Sequence, residues 1–72
     1  MRVFKGLRLV FDGGWSVIDG TIRDLSPTGA RLTMESVVAV PSEFTLILND
    51  RDWRRRCQVK WRSPKALGVA FR

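Results

Sequence analysis

Apolar and polar residues alternate with a period of two along residues 54–62, and this pattern limits the possible folds of the chain more than any other feature. Cys57, Val59 and Trp61 share one face. The opposite face is basic and carries Arg54, Arg56, Gln58, Lys60 and Arg62. Successive side chains of a β-strand point to opposite faces of a sheet. The segment from Trp53 to Arg62 is therefore predicted to be a half-buried strand with a basic outer face. Arg55 breaks the pattern, and the aliphatic part of its side chain is expected to pack on Trp53 near the hairpin end.

The same alternation recurs in segments separated by turn signals, such as Asp12-Gly13-Gly14 and Ser63-Pro64-Lys65-Ala66. Further strands are predicted over residues 7–11, from Trp15 onward, and over residues 30–34, 44–48 and 67–71, with a partly buried connection over residues 35–42. No long helix is evident. Six short strands joined by turns favour an all-β fold, a small six-stranded antiparallel β-barrel in which closure removes the sheet edges.

The second predicted strand changes phase along its length. Trp15 and Val17 share one phase, whereas Ile18 and Ile22 share the other, so a bulge or bend is expected at about Gly20. Six residues at inward positions of the strands are predicted to lie in the core: Leu9, Ile22, Leu32, Leu46, Val59 and Val69. A chain of 72 residues has room for one domain. This domain is expected to span residues 1–72, with an N-terminal arm over residues 1–6 and the barrel over residues 7–72.

The chain is strongly basic, with 13 Lys and Arg against 7 Asp and Glu and a net charge of +6. The positive electrostatic field of such a chain favours polyanionic partners without identifying one, because a nucleotide, RNA, an anionic membrane surface or an acidic protein would each be attracted. No apolar run approaches the roughly 18 residues that a membrane span requires. Residues 1–10 also lack the continuous apolar region of a signal peptide. We therefore expect a cytoplasmic protein with no membrane insertion.

The parts of common catalytic and metal sites are missing from the sequence. The chain has no histidine, and its one cysteine, Cys57, lies in a strand pattern and cannot form an internal disulfide. No acid–base pair stands out either. The chain is thus predicted not to be an enzyme, with no catalytic residue, no metal ligand and no cofactor, and Cys57 is interpreted as a small core residue.

The stretch from Asp24 to Gly29 places a carboxylate, a hydroxyl and a turn glycine between two strand patterns. Pro27 favours a turn, and Gly29 is expected to adopt the positive φ that closes it. An ionised carboxylate only accepts hydrogen bonds, so Asp24 suits a partner with adjacent donors such as the N1–H and N2–H₂ edge of a guanine. The alternative is an ordinary turn, in which Asp24 and Ser26 bond only to their own backbone.

The segment Asp24-Leu25-Ser26-Pro27-Thr28-Gly29 resembles the [D/N]-x-S-x-x-G signature of PilZ domains. Residues 57–62 and 67–71 are similar to the closing strands of that family, so the resemblance covers nearly the whole chain. It implies a PilZ-like barrel that binds cyclic di-GMP, a bacterial second messenger, with Asp24, Ser26 and Gly29 meeting one guanine and its ribose. Arg31, two residues after Gly29, is assigned to this site as well.

The family's second element, an R-x-x-x-R motif before the first strand, is incomplete in this chain. The arm offers Arg2, Lys5 and Arg8 as ligand contacts, and Lys5 stands where the family has its second arginine. Lysine is a point charge and cannot make the two parallel hydrogen bonds of a guanidinium. The resemblance therefore implies a weak cyclic di-GMP affinity.

These features predict a cyclic di-GMP sensor or adaptor of bacterial signalling that acts on a protein partner which the sequence does not identify. The alternative is a degenerate PilZ-like module that binds no nucleotide and docks an acidic protein through the basic strand. A third interpretation, a small RNA-binding barrel, ranks lower because no aromatic residue is expected among the basic residues of that strand face to stack on bases. The three tryptophans are interpreted as core and rim packing, with a ligand-facing Trp61 as the open alternative.

Overall fold

The computed structural model describes residues 2–50 and 52–72, and the side chains of Arg2 and Val3 lie outside this description. Within the described residues the strands are β1 (Arg2–Phe11), β2 (Ser16–Leu25), β3 (Gly29–Thr33), β4 (Glu43–Leu48), β5 (Arg54–Ser63) and β6 (Ala66–Phe71). All neighbouring strands are antiparallel, in the order β1-β2-β3-β6-β5-β4, and pairing between β4 and β1 closes the sheet into a barrel. The predicted all-β, six-stranded antiparallel barrel is confirmed.

The inward positions of the strands form one hydrophobic core. Its buried members are Leu7, Leu9, Ile22, Leu32, Met34, Val37, Val40, Phe44, Leu46, Leu48, Cys57, Leu67 and Val69. Five of the six predicted core residues are in this set, and the sixth, Val59, is half-buried and packs against it. Burying a single leucine or valine side chain contributes about 1.5–3 kcal/mol, so burial from every strand stabilises the closed sheet.

The connection between β3 and β4 is partly buried, as the sequence predicted for residues 35–42. Val37 and Val40 are buried, while Val38 between them is 90% exposed. The Arg62 side chain fastens this connection, because Nη1 donates to the carbonyl oxygens of Val37 at 3.4 Å and Val40 at 2.9 Å. The predicted Arg55–Trp53 contact is also present, with the guanidinium carbon 5.3 Å from the ring centroid.

The start of the first strand and the position of the bulge in β2 differ from those predicted from the sequence. The first strand begins at Arg2 rather than at Leu7, because residues of the expected arm pair with β2: Arg2 lies opposite Asp24, and Lys5 lies opposite Ile22. The bulge of β2 lies at Arg23, between Ile22 and Asp24, and not at Gly20. Gly20 occupies a regular inward position where a Cβ atom would lie 2.7 Å from the Thr33 carbonyl oxygen, so a close approach of β3 requires this glycine.

Candidate functional site

One row of paired residues crosses the outer face of four strands. Asp24 of β2 lies opposite Arg31 of β3, Arg31 lies opposite Gly68 of β6, and Gly68 lies opposite Trp61 of β5. Directly opposed residues of an antiparallel pair present their side chains on the same face. We call this set the Asp24 row, and it brings a carboxylate, a guanidinium and an indole together.

Two β-bulges produce the Asp24 row. Arg23 is the extra residue between Ile22 and Asp24, and Lys60 is the extra residue between Val59 and Trp61. A strand without bulges would place Asp24 inward with Ile22, and Trp61 inward with Val59. Each bulge inverts the phase once, so both side chains face outward. The prediction that Trp61 shares the inner face with Cys57 and Val59 is therefore wrong.

Asp24 and Arg31 form an ion pair at the centre of the row. Nε of Arg31 donates to Oδ2 of Asp24 at 2.6 Å, and the two side chains are 46% and 38% exposed. Among the described residues, neither the second carboxylate oxygen nor the terminal nitrogens of Arg31 have a hydrogen-bond partner. Ion pairs this exposed contribute about 0–1 kcal/mol, so a ligand can join or rearrange this pair at small cost.

Ser26 closes the loop that follows β2. Its hydroxyl oxygen accepts hydrogen bonds from the backbone amides of Gly29 at 3.1 Å and Thr28 at 3.3 Å, and its own amide donates to the Gly29 carbonyl at 2.9 Å. The side chain thus has the turn-closing role that the sequence left open as the alternative. It remains exposed at the edge of the site.

Gly29 is needed for space and not for a positive φ, which in the described residues is found at Asp12, Gly13 and Gly14. A Cβ atom at Gly29 would overlap the carbonyl oxygen of Val69 on β6. The expectation of a left-handed conformation at Gly29 is therefore wrong. A glycine here lets β3 and the Ser26 loop approach β6 closely.

Trp61 lines the candidate site and is the residue that strand periodicity placed on the wrong face. Its indole is 48% exposed and lies directly over Gly68, where a Cβ atom would overlap the ring. Together with Asp24, Ser26, Gly29 and Arg31 it lines a depression of about 340 Å³. Since the pairing of Gly68 with Trp61 depends on an unpredicted bulge, the signal in the sequence was limited to an aromatic residue among cations.

Of the three predicted cationic contacts, Lys5 and Arg8 do not reach this depression. The Lys5 ammonium binds Oδ2 of Asp50 at 2.6 Å, in the turn after β4. Arg8 is exposed opposite Asp19, which is five residues before Asp24 on β2 and so about 16 Å from it along the strand. The backbone of Arg2 lies opposite Asp24, but its side chain lies outside the described residues.

Cys57 takes no part in the site. It is fully buried, and this burial raises the pKa of the Cys57 thiol to about 12, against a smaller lowering by Arg56. Within residues 2–50 and 52–72, no cluster of three or more potential metal-ligating side chains is present. The same part of the chain contains no helix that is long and apolar enough to cross a membrane.

Comparison with known proteins agrees with the fold and the loop. The family model described as the PilZ domain matches residues 2–72. No curated protein matches the chain at a significant level. The match covers the Asp24 loop, all six strands and the bulges at Arg23 and Lys60. The chain therefore belongs to the PilZ domain family, whose members in general bind cyclic di-GMP.

Proposed function

We propose that this chain binds cyclic di-GMP at the Asp24 row and passes the signal to a protein partner. PilZ domains are binding modules. The observation that carries the proposal for this chain is the outward Asp24 carboxylate, which lies 2.6 Å from Arg31 in a depression bounded by Trp61. The chain acts as a sensor or adaptor and not as an enzyme.

The chemistry of the depression suits a guanine. The free oxygen of Asp24 accepts from the N1–H and N2–H₂ edge of the base, and the terminal N–H groups of Arg31 donate to guanine O6 and N7 or to a phosphate oxygen. Both contacts are charge-assisted. The exposed indole of Trp61 provides apolar area for a flat ring. Ser26 and Gly29 fix the loop that forms the edge of the site.

The same geometry supports a weak affinity. Lys5 must leave Asp50 before its ammonium can reach a ligand. Lys5 lies opposite the inward Ile22 on β2, so it starts on the other face of the sheet from the outward Asp24, and Arg8 is farther away along the strand. We place Arg2, Lys5 and Arg8 in the proposed site as supplementary cations, with Arg2 nearest by its backbone position.

The Lys5–Asp50 contact also offers a route for the signal. It links β1 to the turn between β4 and β5. A ligand that draws Lys5 toward Asp24 removes one contact of this turn, so the surface that a partner protein meets differs between the free and bound states. A bacterial cytoplasmic location is part of this proposal.

Calorimetric titration with cyclic di-GMP tests the proposal. We expect measurable binding to the parent chain. We also expect a loss of about 1–3 kcal/mol in Asp24→Ala, because the guanine donors lose their charged acceptor. Asp52→Ala is the matched control, since Asp52 is exposed and lies outside the depression. Binding that is equally strong in Asp24→Ala and in the control would contradict the proposed site.

Lys5→Arg examines the arm in the same titration. A guanidinium can hold a phosphate or a guanine edge with two hydrogen bonds, so we expect binding tighter by about 1 kcal/mol or more. Lys5→Ala should weaken binding. An unchanged affinity in both variants would remove Lys5 from the site while leaving the Asp24 row in place.

A second candidate function is favoured by a specific observation. Asp24, Ser26 and Lys5 all have partners within the chain, as expected of a loop and an arm that serve only structural roles. In that case the chain is a degenerate PilZ module that docks an acidic protein through the exposed Arg54 and Arg56 of β5. Absence of cyclic di-GMP binding in both the parent and Lys5→Arg would favour this function.

A further inference from the structure

A second depression of about 610 Å³ adjoins the Asp24 row on the outer face of the barrel. Its floor is the next outward row of the sheet, in which Thr21 lies opposite Thr33, Thr33 lies opposite Ala66, and Ala66 lies opposite Ser63. Arg31 and Thr33 are consecutive outward residues of β3, so the two rows are about 7 Å apart. One dinucleotide can therefore contact both depressions.

Arg23 is held in place over this second row. Its Nε donates to Oγ1 of Thr33 at 3.2 Å, and its guanidinium carbon lies 4.9 Å from the centroid of the Phe4 ring. These two contacts come from different strands and fix the plane of the guanidinium. A side chain that is already ordered loses less conformational entropy when it binds a ligand.

The guanidinium of Arg23 has no anionic partner in the described part of the chain. Lys5, Arg31, Arg56 and Arg72 form ion pairs with carboxylates of these residues, whereas Arg23 does not. Its bound Nε leaves both terminal nitrogens free of hydrogen bonds to described side chains. An ordered, half-buried cation with free parallel donors matches the oxygens of a phosphate.

The other groups around Arg23 extend the same chemistry. Lys65 adds a second cation, and the hydroxyls of Thr21, Thr33 and Ser63 add hydrogen-bond donors. Asp19 and Glu35 also line the depression. Their carboxylates repel a bare phosphate but accept hydrogen bonds, so the depression suits a phosphate ester that carries N–H or O–H donors.

We infer that Arg23 and Lys65 form a phosphate-binding subsite, which takes one phosphodiester of a cyclic dinucleotide whose base lies at Asp24. The inference rests on the proposed function and adds to it an anchor outside the incomplete arm. The bulge that turns Asp24 outward thus also supplies the neighbouring phosphate contact.

Arg23→Gln tests the subsite by calorimetry with cyclic di-GMP. We expect the affinity to fall roughly tenfold or more, with a shallower dependence on salt, because one phosphate contact is lost. Arg72→Gln is the matched control: it removes the same charge from an exposed position just after β6 and outside both depressions, and its affinity should stay within about twofold of the parent. Equal effects of the two variants would overturn the subsite and leave the Asp24 site standing.

A measurement on the parent chain covers the case in which Arg23→Gln does not fold. Ribose 5-phosphate, a phosphate ester with O–H donors and no base, is added while the Nε–H signal of Arg23 and the amide signal of Thr33 are followed by NMR. Shifts that saturate at these two positions support the subsite, even if cyclic di-GMP does not bind and the proposed function fails. No shift at either position, together with no binding of cyclic di-GMP, would overturn both.

Discussion

Two glycines of the candidate site leave space for different kinds of neighbour, backbone in one case and a side chain in the other. At Gly29 the space for a Cβ atom is taken by the backbone carbonyl of Val69, whereas at Gly68 it is taken by the side chain of Trp61. A backbone obstacle forces the strands apart, but an exposed indole can swing away. Substitution by alanine at each position therefore distinguishes a glycine required for the stability of the fold from one required for the geometry of the site.

We expect Gly29→Ala to lower the free energy of unfolding by about 2–3 kcal/mol, in the range of overpacked interiors. Gly68→Ala should cost less than about 1 kcal/mol but displace the indole and weaken cyclic di-GMP binding. Urea denaturation measures the first effect, and calorimetry the second. A larger loss of stability in Gly68→Ala than in Gly29→Ala would contradict this assignment of roles.

The buried thiol of Cys57 makes stability depend on alkaline pH. Burial raises its pKa to about 12 in the folded chain, while the unfolded chain has an ordinary thiol pKa of about 8.5. Between these values the unfolded state loses its proton and the folded state keeps it. The free energy of unfolding should therefore fall as pH rises from about 9 toward 12, by at most about 1.4 kcal/mol per pH unit.

Cys57→Ala provides the comparison for this dependence, because all other titrating groups are shared with the parent. The stability difference between parent and variant, measured with urea at several pH values from neutral upward, should shrink as pH rises. A constant difference would show that the thiol is not protected from ionisation. The same burial predicts slow alkylation of the folded chain near neutral pH.

At the scale of strands, the sequence predicted the regular parts well and the interruptions poorly. The alternation in β3, β4 and β6 predicted which side chains face the core, because nothing interrupts the period of two. The bulges at Arg23 and Lys60 depend on how neighbouring strands meet around a closed sheet. That information is not local to either segment, so the inward prediction for Trp61 failed there.

The residues of the candidate site were predictable from the sequence in part, whereas the contacts between them were not. The order of Asp24, Ser26 and Gly29 in one loop is visible in the sequence, and so is the incomplete arm. The Asp24–Arg31 pair was not predicted, although both residues were assigned to the site. The binding of Lys5 to Asp50 joins residues 45 positions apart, and no periodicity connects them.

Arg62 offers a test of how the connection over residues 35–42 is held. Its two hydrogen bonds to the carbonyls of Val37 and Val40 come from a charged donor, and their loss in Arg62→Ala should cost about 1–2 kcal/mol. Hydrogen exchange in peptides that cover this connection should become faster. Arg54→Ala, on the same strand, serves as the control and should leave exchange there unchanged.

For the whole molecule, the net charge of +6 predicts weak and non-specific attraction to RNA. The bulge at Lys60 does place one aromatic residue, Trp61, on the outer face of β5, contrary to the expectation from alternation. However, one face of its indole covers Gly68, and Arg56 and Arg72 lie near the carboxylate of Glu43 at 3.8 and 3.3 Å. A groove of cations with several stacking rings is not formed by these residues.

We therefore expect RNA binding that is weaker than micromolar and lost as salt rises from about 50 to 200 mM, as for purely electrostatic contacts. Fluorescence anisotropy with a labelled single-stranded RNA measures it. Binding of RNA below micromolar concentration, in the absence of any cyclic di-GMP binding, would rank RNA binding above cyclic di-GMP binding.

Closure of the sheet by β1 and β4 determines how a partner can bind. Along the paired lengths of the strands, backbone N–H and C=O groups are already bonded to a neighbouring strand, so an extended peptide finds no edge there to which it can add as a further strand. A partner must instead contact outward side chains, with a helix or a folded surface of its own. Recognition then depends on side-chain identity at each outward position, and a partner's specificity can change by single substitutions that leave the barrel intact.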